Sequence, residues 1–259
     1  MIHFAINGAL GKMGRAIARL ALQKKTMELA LAIDINAQDA ALGEGIKKEI
    51  LVSQIDPEKP GKISGLIDFS VPDASLNMLK ICVSAKIPMV IGTTGFGSEQ
   101  ESFIQEASKQ IAILKSSNMS IGVNLLFALT RMAGEALVNK DFHAEMMEIH
   151  HMHKKDAPSG TAKSLEKILL ETMNLDKNVK YGRSGITGER KPDELGSFAL
   201  RGGDVVGDHT VFFLGNGERI ELKHQATNRD VFASGALDAL EFIVHQKPGL
   251  YNMTQVLGL

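Results

Sequence analysis

Between Glu148 and Lys155 the chain gathers His150, His151, His153, Lys154 and Lys155 within six positions. Imidazoles transfer protons near neutral pH, and ammoniums hold anions or donate protons. Five potential cations this close repel one another, so something negative is expected to balance them. Ser159-Gly160-Thr161 follows and opens a helix-forming run. Backbone N–H groups at a helix start bind anions, and glycine lets an anion approach closely. A basic cluster beside a helix N-terminus reads as a site for a small polyanion, carboxylate or phosphate. Clustered histidines also suit zinc, but the one cysteine, Cys82, is remote. Adjacent histidines on a strand point to opposite faces, so no metal is expected here. A solvated basic turn would account for Lys154 and Lys155, but not for three histidines followed by a helix-start glycine.

An apolar strand over residues 144–149 must deliver this cluster, and the break at Asp156-Ala157-Pro158 separates it from a helix over 161–170. Upstream, a short strand over 2–7 runs into Gly8-Ala9-Leu10-Gly11-Lys12-Met13-Gly14 and a helical run from Arg15. Strand, glycine turn and amphipathic helix form the opening of a dinucleotide-binding unit. The spacing is GxxGxxG rather than GxGxxG, a weak signal alone. The second strand, 29–33, strengthens it by ending in Asp34. That carboxylate falls near the expected distance of about 20 residues, where it would accept from ribose hydroxyls. Ile35 and Asn36 follow, with no arginine for a 2′-phosphate, so NADH is expected to be preferred over NADPH. Residues 37–65 form a long polar connection. Strands at 66–70, 88–91 and 111–114 alternate with helices at 73–85 and 98–109. Gly92-Thr93-Thr94 and Ser116-Ser117-Asn118-Met119 then sit at strand carboxyl ends, where ligands lie in an open parallel sheet.

Four βα units in a row predict an α/β fold, a Rossmann-like doubly wound parallel sheet. Near Ser120 the pattern changes to a helix over 121–137, then the cluster, then strands at 196–201, 205–206, 210–214 and 219–222. Gly215-Asn216-Gly217 marks a hairpin. The expected division is a dinucleotide-binding domain of residues 1–120 plus 229–259, and an α+β domain over 121–228 whose sheet face serves association. A final helix over 230–244 packs back onto the first domain, and 251–259 is a short apolar tail.

The chain has 259 residues, 44% of them hydrophobic, and a net charge of −1. That is enough for one large or two smaller domains, and it argues against a nucleic-acid surface. One cysteine suits a reducing cytosol. Neither a leader nor a membrane span is evident, so a cytoplasmic protein is expected.

Taken in order, the segments GALGKMG, IGTTGF, SSNMSIGVN, EIHHMHKKDAPSGTA and RGGDVVGDHTVFF closely resemble the 4-hydroxy-tetrahydrodipicolinate (dihydrodipicolinate) reductase family along essentially the whole chain. The resemblance implies a homotetrameric, cytoplasmic oxidoreductase of diaminopimelate and lysine biosynthesis. Its cofactor, NADH or NADPH, would be held by residues 8–13, Asp34, 92–94 and 116–119. The substrate would be a cyclic dicarboxylate, bound by His151, Gly160 and Thr161. His150 matches the family's proton donor/acceptor and Lys154 its proton donor. Many members carry an arginine after the ribose-binding acid; Ile35 stands there in this chain. Domain closure would hinge near Ser120 and Arg229. A semialdehyde dehydrogenase would share the cofactor half but needs a catalytic cysteine, and a redox-sensing regulator would need a nucleic-acid face.

Overall fold

The computed structural model describes residues 1–38, 40–57, 61–175 and 178–259. Of the connection expected over 37–65, residues 39 and 58–60 lie outside the described residues. The elements run β1 (Ile2–Asn7), α1 (Lys12–Ala21), β2 (Met27–Ile33), β3 (Leu51–Val52), β4 (Gly65–Asp68), α2 (Pro72–Ala85), β5 (Met89–Ile91), α3 (Ser98–Ala107), β6 (Ala112–Lys115) and α4 (Ile121–Leu137). Then come β7 (His143–His150), α5 (Gly160–Thr172), β8 (Asn178–Lys180), β9 (Glu194–Arg201), β10 (Gly207–Leu214), β11 (Arg219–Ala226), α6 (Asp230–Ile243), β12 (Gly249–Tyr251) and α7 (Met253–Val256). Two compact units result, Met1–Ile121 with Asp230–Leu259, and Gly122–Arg229.

The first unit is a seven-stranded sheet of order β12-β6-β5-β4-β1-β2-β3, with every ladder parallel. Its strands are short apolar runs because both faces are covered. Phe4, Ile6, Ile67, Val90 and Leu114 point into one core with Ile17 and Ala18 of α1 and Leu237 and Leu240 of α6. Their neighbours Ala5, Leu66, Met89, Ile91 and Ile113 point into the other, with Leu79 of α2 and Ile104 of α3. This alternation is the two-residue period of a strand put to use on both sides. Helix α1 buries Gly14, Ile17, Ala18 and Ala21, the i, i+3, i+4, i+7 stripe of an amphipathic helix. Helix α2 begins with Pro72 at its first position, where a missing N–H costs nothing.

Two strands of this unit escape a sequence reading. Leu51–Val52 adds a parallel edge to β2, and Gly249–Tyr251, which ends where the expected tail begins, pairs with β6. Both are too short to show any periodicity.

The second unit is a five-stranded sheet of order β11-β10-β7-β9-β8. The β11–β10–β7 ladders are antiparallel, and β7–β9 and β9–β8 are parallel. Helices α4 and α5 cover one face through Leu126, Leu165 and Leu169, which meet Ala144, Met146, Leu195, Val211 and Phe213. The strand expected at 205–206 is absent. Those residues form the loop ahead of β10, and the Val205 carbonyl accepts from the His151 N–H at 2.7 Å. Two valines favour a strand locally, but the flanking glycine-rich turn spends their backbone on the cluster loop instead.

Candidate active site

Strand β7 carries the first part of the site. Ala144, Met146, Glu148 and His150 alternate onto its helix-covered face, so a face that is apolar at one end becomes ionisable at the other. The register extends this polarity sideways. Glu148 stands opposite His209 on β10, and His209 opposite His224 on β11. Glu148 is 1% exposed, His209 3% and His150 8%.

A buried carboxylate must be compensated. Glu148 Oε1 accepts from Arg201 Nη2 at 2.8 Å and from the Ser159 N–H at 3.1 Å. Its Oε2 lies 3.5 Å from His150 Nδ1 and 3.6 Å from His209 Nε2. Burial works against ionisation, but hydrogen bonds from His209, Ser159 and Arg201 win and hold Glu148 far below the usual carboxylate range. Burial also pushes the His150 imidazole down to about 4; Glu148 opposes this, and His209, Lys154 and Arg201 add to it. His150 is therefore neutral at physiological pH.

Part of the negative charge expected to balance the cluster thus comes from the chain itself. Lys154 Nζ donates to both oxygens of Asp156, at 2.8 and 3.0 Å, and Arg201 Nη2 also donates to the Asp156 carbonyl at 2.8 Å. Arg201 so clamps the strand end to the loop that carries Lys154. Glu148, His150 and His209 bring three metal-ligand atoms within 4.8 Å of one another. The guanidinium and the amide already occupy the carboxylate, which makes the group a hydrogen-bond network around a counterion.

Helix α5 supplies the second part. Ser159 caps it with an extended backbone (φ −67°, ψ 165°), its Oγ accepting from the Ala162 N–H at 3.1 Å. The Ser159 amide, one of the donors expected to meet an anion, is spent on Glu148. Gly160 and Thr161 follow at the first helical positions. A Cβ placed on Gly160 would meet nothing within 4 Å, so the approach to the helix start is open. His151 Nε2 lies 3.4 Å from Nη2 of Arg229, a cation that nothing in the local sequence marks out.

In the first unit, some of the expected cofactor residues line two cavities: Gly8, Gly11 and Asp34 the one, and Thr93, Thr94, Ser116 and Ser117 the other. One, of about 280 Å³, is lined by Asn7, Gly8, Gly11, Asp34, Ile35, Asn36, Phe69, Ser70, Val71 and Ala74. Gly8 adopts φ +79°, and a Cβ on it would sit 2.2 Å from the Phe69 carbonyl oxygen. A Cβ on Gly14 would lie 2.3 Å from the Gly8 carbonyl oxygen, so the turn closes only with glycine at both places. Asp34 accepts from the Leu10 N–H at 2.9 Å through Oδ2 and from the Asn36 N–H at 3.0 Å through Oδ1. Each oxygen keeps a lone pair for a ribose hydroxyl. The second cavity, of about 520 Å³, is lined by Thr93, Thr94, Ser116 and Ser117 together with Lys115, Leu250, Tyr251 and Asn252.

Between the two cavities lies a buried network invisible in the sequence. Asp68, fully buried, accepts from Asn7 Nδ2 at 2.7 Å, Ser70 Oγ at 2.6 Å and Thr93 Oγ1 at 2.6 Å. The Thr93 hydroxyl in turn accepts from the Ser70 N–H at 2.8 Å. These residues come from the carboxyl ends of β1, β4 and β5, which only the sheet order brings together. Ser116 Oγ donates to the Asn118 carbonyl at 2.7 Å, folding the 116–119 turn on itself. The side chains of Ala9 and Met119 are buried in the core, Leu10 and Met13 pack partly against it, and Lys12 is exposed. Gly92 fits under the Phe69 ring, where a Cβ would lie 2.3 Å from the ring carbons, and Gly235 of α6 allows close approach to the Met119 carbonyl.

A glycine turn that admits no side chain, an acid at the second strand and hydroxyls at the fourth and fifth suit a nicotinamide dinucleotide. Two family models settle the relationship. One described as the N-terminus of dihydrodipicolinate reductase matches residues 2–119, and one described as its C-terminus matches residues 122–257. The chain belongs to the dihydrodipicolinate reductase family. Among its relatives is the 4-hydroxy-tetrahydrodipicolinate reductase of Aquifex aeolicus, 47% identical over all of this chain and 99% of that one. The enzyme of the same name from Methanocaldococcus jannaschii is 40% identical over 100% and 98%. A dipicolinate-bound dihydrodipicolinate reductase from Paenisporosarcina sp. TG-14 superposes with a TM-score of 0.80 at 25% identity, covering 97% of each chain. The family is one of oxidoreductases with a Rossmann-type nicotinamide-binding fold, and that is the architecture of the first unit. Among the described residues no helix is long and apolar enough to cross a membrane. The rival that needs a nucleophilic cysteine fails on Cys82, which is buried in α2 with its thiol pushed up to about 12.

Proposed function

We propose that this chain reduces 4-hydroxy-2,3,4,5-tetrahydrodipicolinate to 2,3,4,5-tetrahydrodipicolinate with loss of water, a step toward diaminopimelate and lysine. The observation that carries the reading is one juxtaposition within the second unit. Lys154, His150, the open helix start at Gly160 and Thr161, and the His151–Arg229 pair all gather at one end of β7.

A ring with two carboxylates needs cations and amide donors. His151 and the amides of Gly160 and Thr161 are the groups we assign to it. Once the 4-hydroxyl and a ring proton have left as water, the ring is a conjugated imine, and the nicotinamide, when bound, supplies a hydride to it. Lys154, steered by Asp156, stabilises the electron density that builds on the ring and donates the proton that quenches it. His150, neutral and half-sealed, relays protons to and from that site. In the first unit, the turn of residues 8–13, Asp34, the loop 92–94 and the turn 116–119 hold the dinucleotide. NADH is preferred over NADPH: the cavity at Asp34 is lined by Ile35, 85% exposed, and, among the described residues, by no lysine or arginine to meet a 2′-phosphate. The first unit serves as the dinucleotide domain and the second as the substrate and assembly domain.

A homotetramer formed through the second unit's sheet, in the cytoplasm, completes the reading. Its support is the face away from the helices, where Leu200 is 45% exposed near Met147 and Ile149.

The test follows NADH absorbance with substrate generated in situ by the preceding synthase. Substrate-dependent decay, weaker with NADPH, is expected; no decay would overturn the assignment. Sedimentation analysis checks the tetramer, and a monomer at micromolar concentration would remove it.

A further inference from the structure

The proposed reaction uses His150 and Lys154, but the most deeply buried charge of the second unit is neither. Glu148 is the hub of the network, and a merely structural residue there would be better apolar, since burying an ion pair gains little stability. The question is what an ionised carboxylate does two residues before His150.

The geometry answers at the atom level. His150 Nδ1 is sealed from solvent and has no conventional hydrogen-bond partner among the described residues, and Glu148 Oε2 lies 3.5 Å from it. His150 Nε2 is the other edge of the ring, beside Gly207, where a Cβ would come within 3.0 Å of it. A carboxylate facing one ring nitrogen selects the tautomer that carries N–H on that nitrogen, as metal-binding and triad histidines are held. The groups that face His150 come from every element around it: Glu148 on its own strand, His209 on β10 with ring centroids 5.2 Å apart, Arg201 on β9 and Lys154 on the loop beyond. Arg201 and Lys154 oppose a second proton on the ring. Arg201 and the Ser159 amide pin the carboxylate so that it cannot turn away.

We infer that Glu148 is a positioning residue that holds His150 as the Nδ1–H tautomer and leaves its Nε2 lone pair to accept a proton and return it from the same nitrogen. The inference rests on the proposed role of His150. Its predecessor on the strand, two residues back and on the same face, thereby becomes part of the proton path without touching substrate.

The direct test is nitrogen-15 NMR of histidine-labelled protein at neutral pH. His150 is expected to show a protonated Nδ1 and an unprotonated Nε2; the reverse pattern in the wild type would overturn the inference with no variant needed. Glu148→Gln keeps the size and an acceptor for Arg201, but can turn its amide N–H toward Nδ1. Expected are an inverted tautomer, kcat lowered about 100-fold, and KM values for substrate and cofactor within about twofold. An inverted tautomer with unchanged kcat, or an unchanged tautomer, would overturn the positioning role. His150→Gln separates the two ideas: full turnover there sinks the catalytic reading of His150, while the wild-type spectrum still decides the tautomer.

Discussion

Acid should destabilise this protein through His150, by an amount the structure sets. The unfolded imidazole titrates near 6.5, and burial pushes the folded one down to about 4. Between those values the unfolded state binds a proton that the folded state refuses. Stability therefore rises with pH across that window, and the contribution is lost as pH falls from 6.5 toward 4. At about 1.4 kcal/mol per pH unit, the gap is worth roughly 3 kcal/mol. The residue is only 8% exposed, so little of this is screened by solvent. For a chain of this size, 1 kcal/mol moves Tm by about 2–4 °C, giving a decline of about 6–12 °C from this group alone. Glu148, whose folded pKa is depressed, adds its own loss only from the ordinary carboxylate value downward, where the unfolded state takes up a proton that the folded state still refuses. The assay is differential scanning fluorimetry or calorimetry of wild type and His150→Gln from pH 7 to 4. The variant should lose several degrees less than the wild type over that window. Parallel curves would show that His150 titrates normally in the folded state, and the neutral-relay reading would fall with it.

Four further outcomes are expected. Lys154→Ala should lower kcat about 100-fold or more while the fold survives, since its partner Asp156 is exposed; near-native turnover would remove Lys154 from the chemistry. Gly160→Val should raise the substrate KM about tenfold by shielding helix-start amides with little change in Tm, because a Cβ there meets nothing within 4 Å; an unchanged KM would argue against that anion site. Ile35→Arg should improve kcat/KM for NADPH about tenfold relative to NADH, the scale of one charge-assisted hydrogen bond; steady-state kinetics with both cofactors decide it. Asp68→Ala should cost about 1–3 kcal/mol and weaken NADH binding measured by fluorescence titration, because Asn7, Ser70 and Thr93 lose their shared acceptor; unaltered affinity would show that the Thr93 loop needs no such support.

The residues that could do chemistry were legible in the sequence because their types are concentrated. Histidines and lysines crowd one short stretch, glycines recur at 8, 11 and 14, and an acid ends the second strand. The doubly wound sheet was legible for the same reason: apolar runs and helical stripes each repeat with a period that local sequence records. The β12 strand was not, since three residues carry no period and gain their place only from the free edge of β6. The extra strand expected at 205–206 failed because its backbone answers to His151, some fifty residues away in the chain.

What sequence alone could not decide is the state of the groups it pointed to. Glu148 looks like an ordinary polar position in a strand, and Arg201, His209 and Asp68 like incidental neighbours of turns. Folding places Glu148 opposite His209 across a ladder and brings Arg201 in from β9, so a charge that would be solvated in the chain becomes buried and paired. Desolvation and Coulomb forces act through space, at ångström separations that register and sheet order set. Residue type therefore pointed to a cluster of ionisable groups, while the tertiary structure determined which histidine is neutral, which amide is already occupied and which carboxylate holds them.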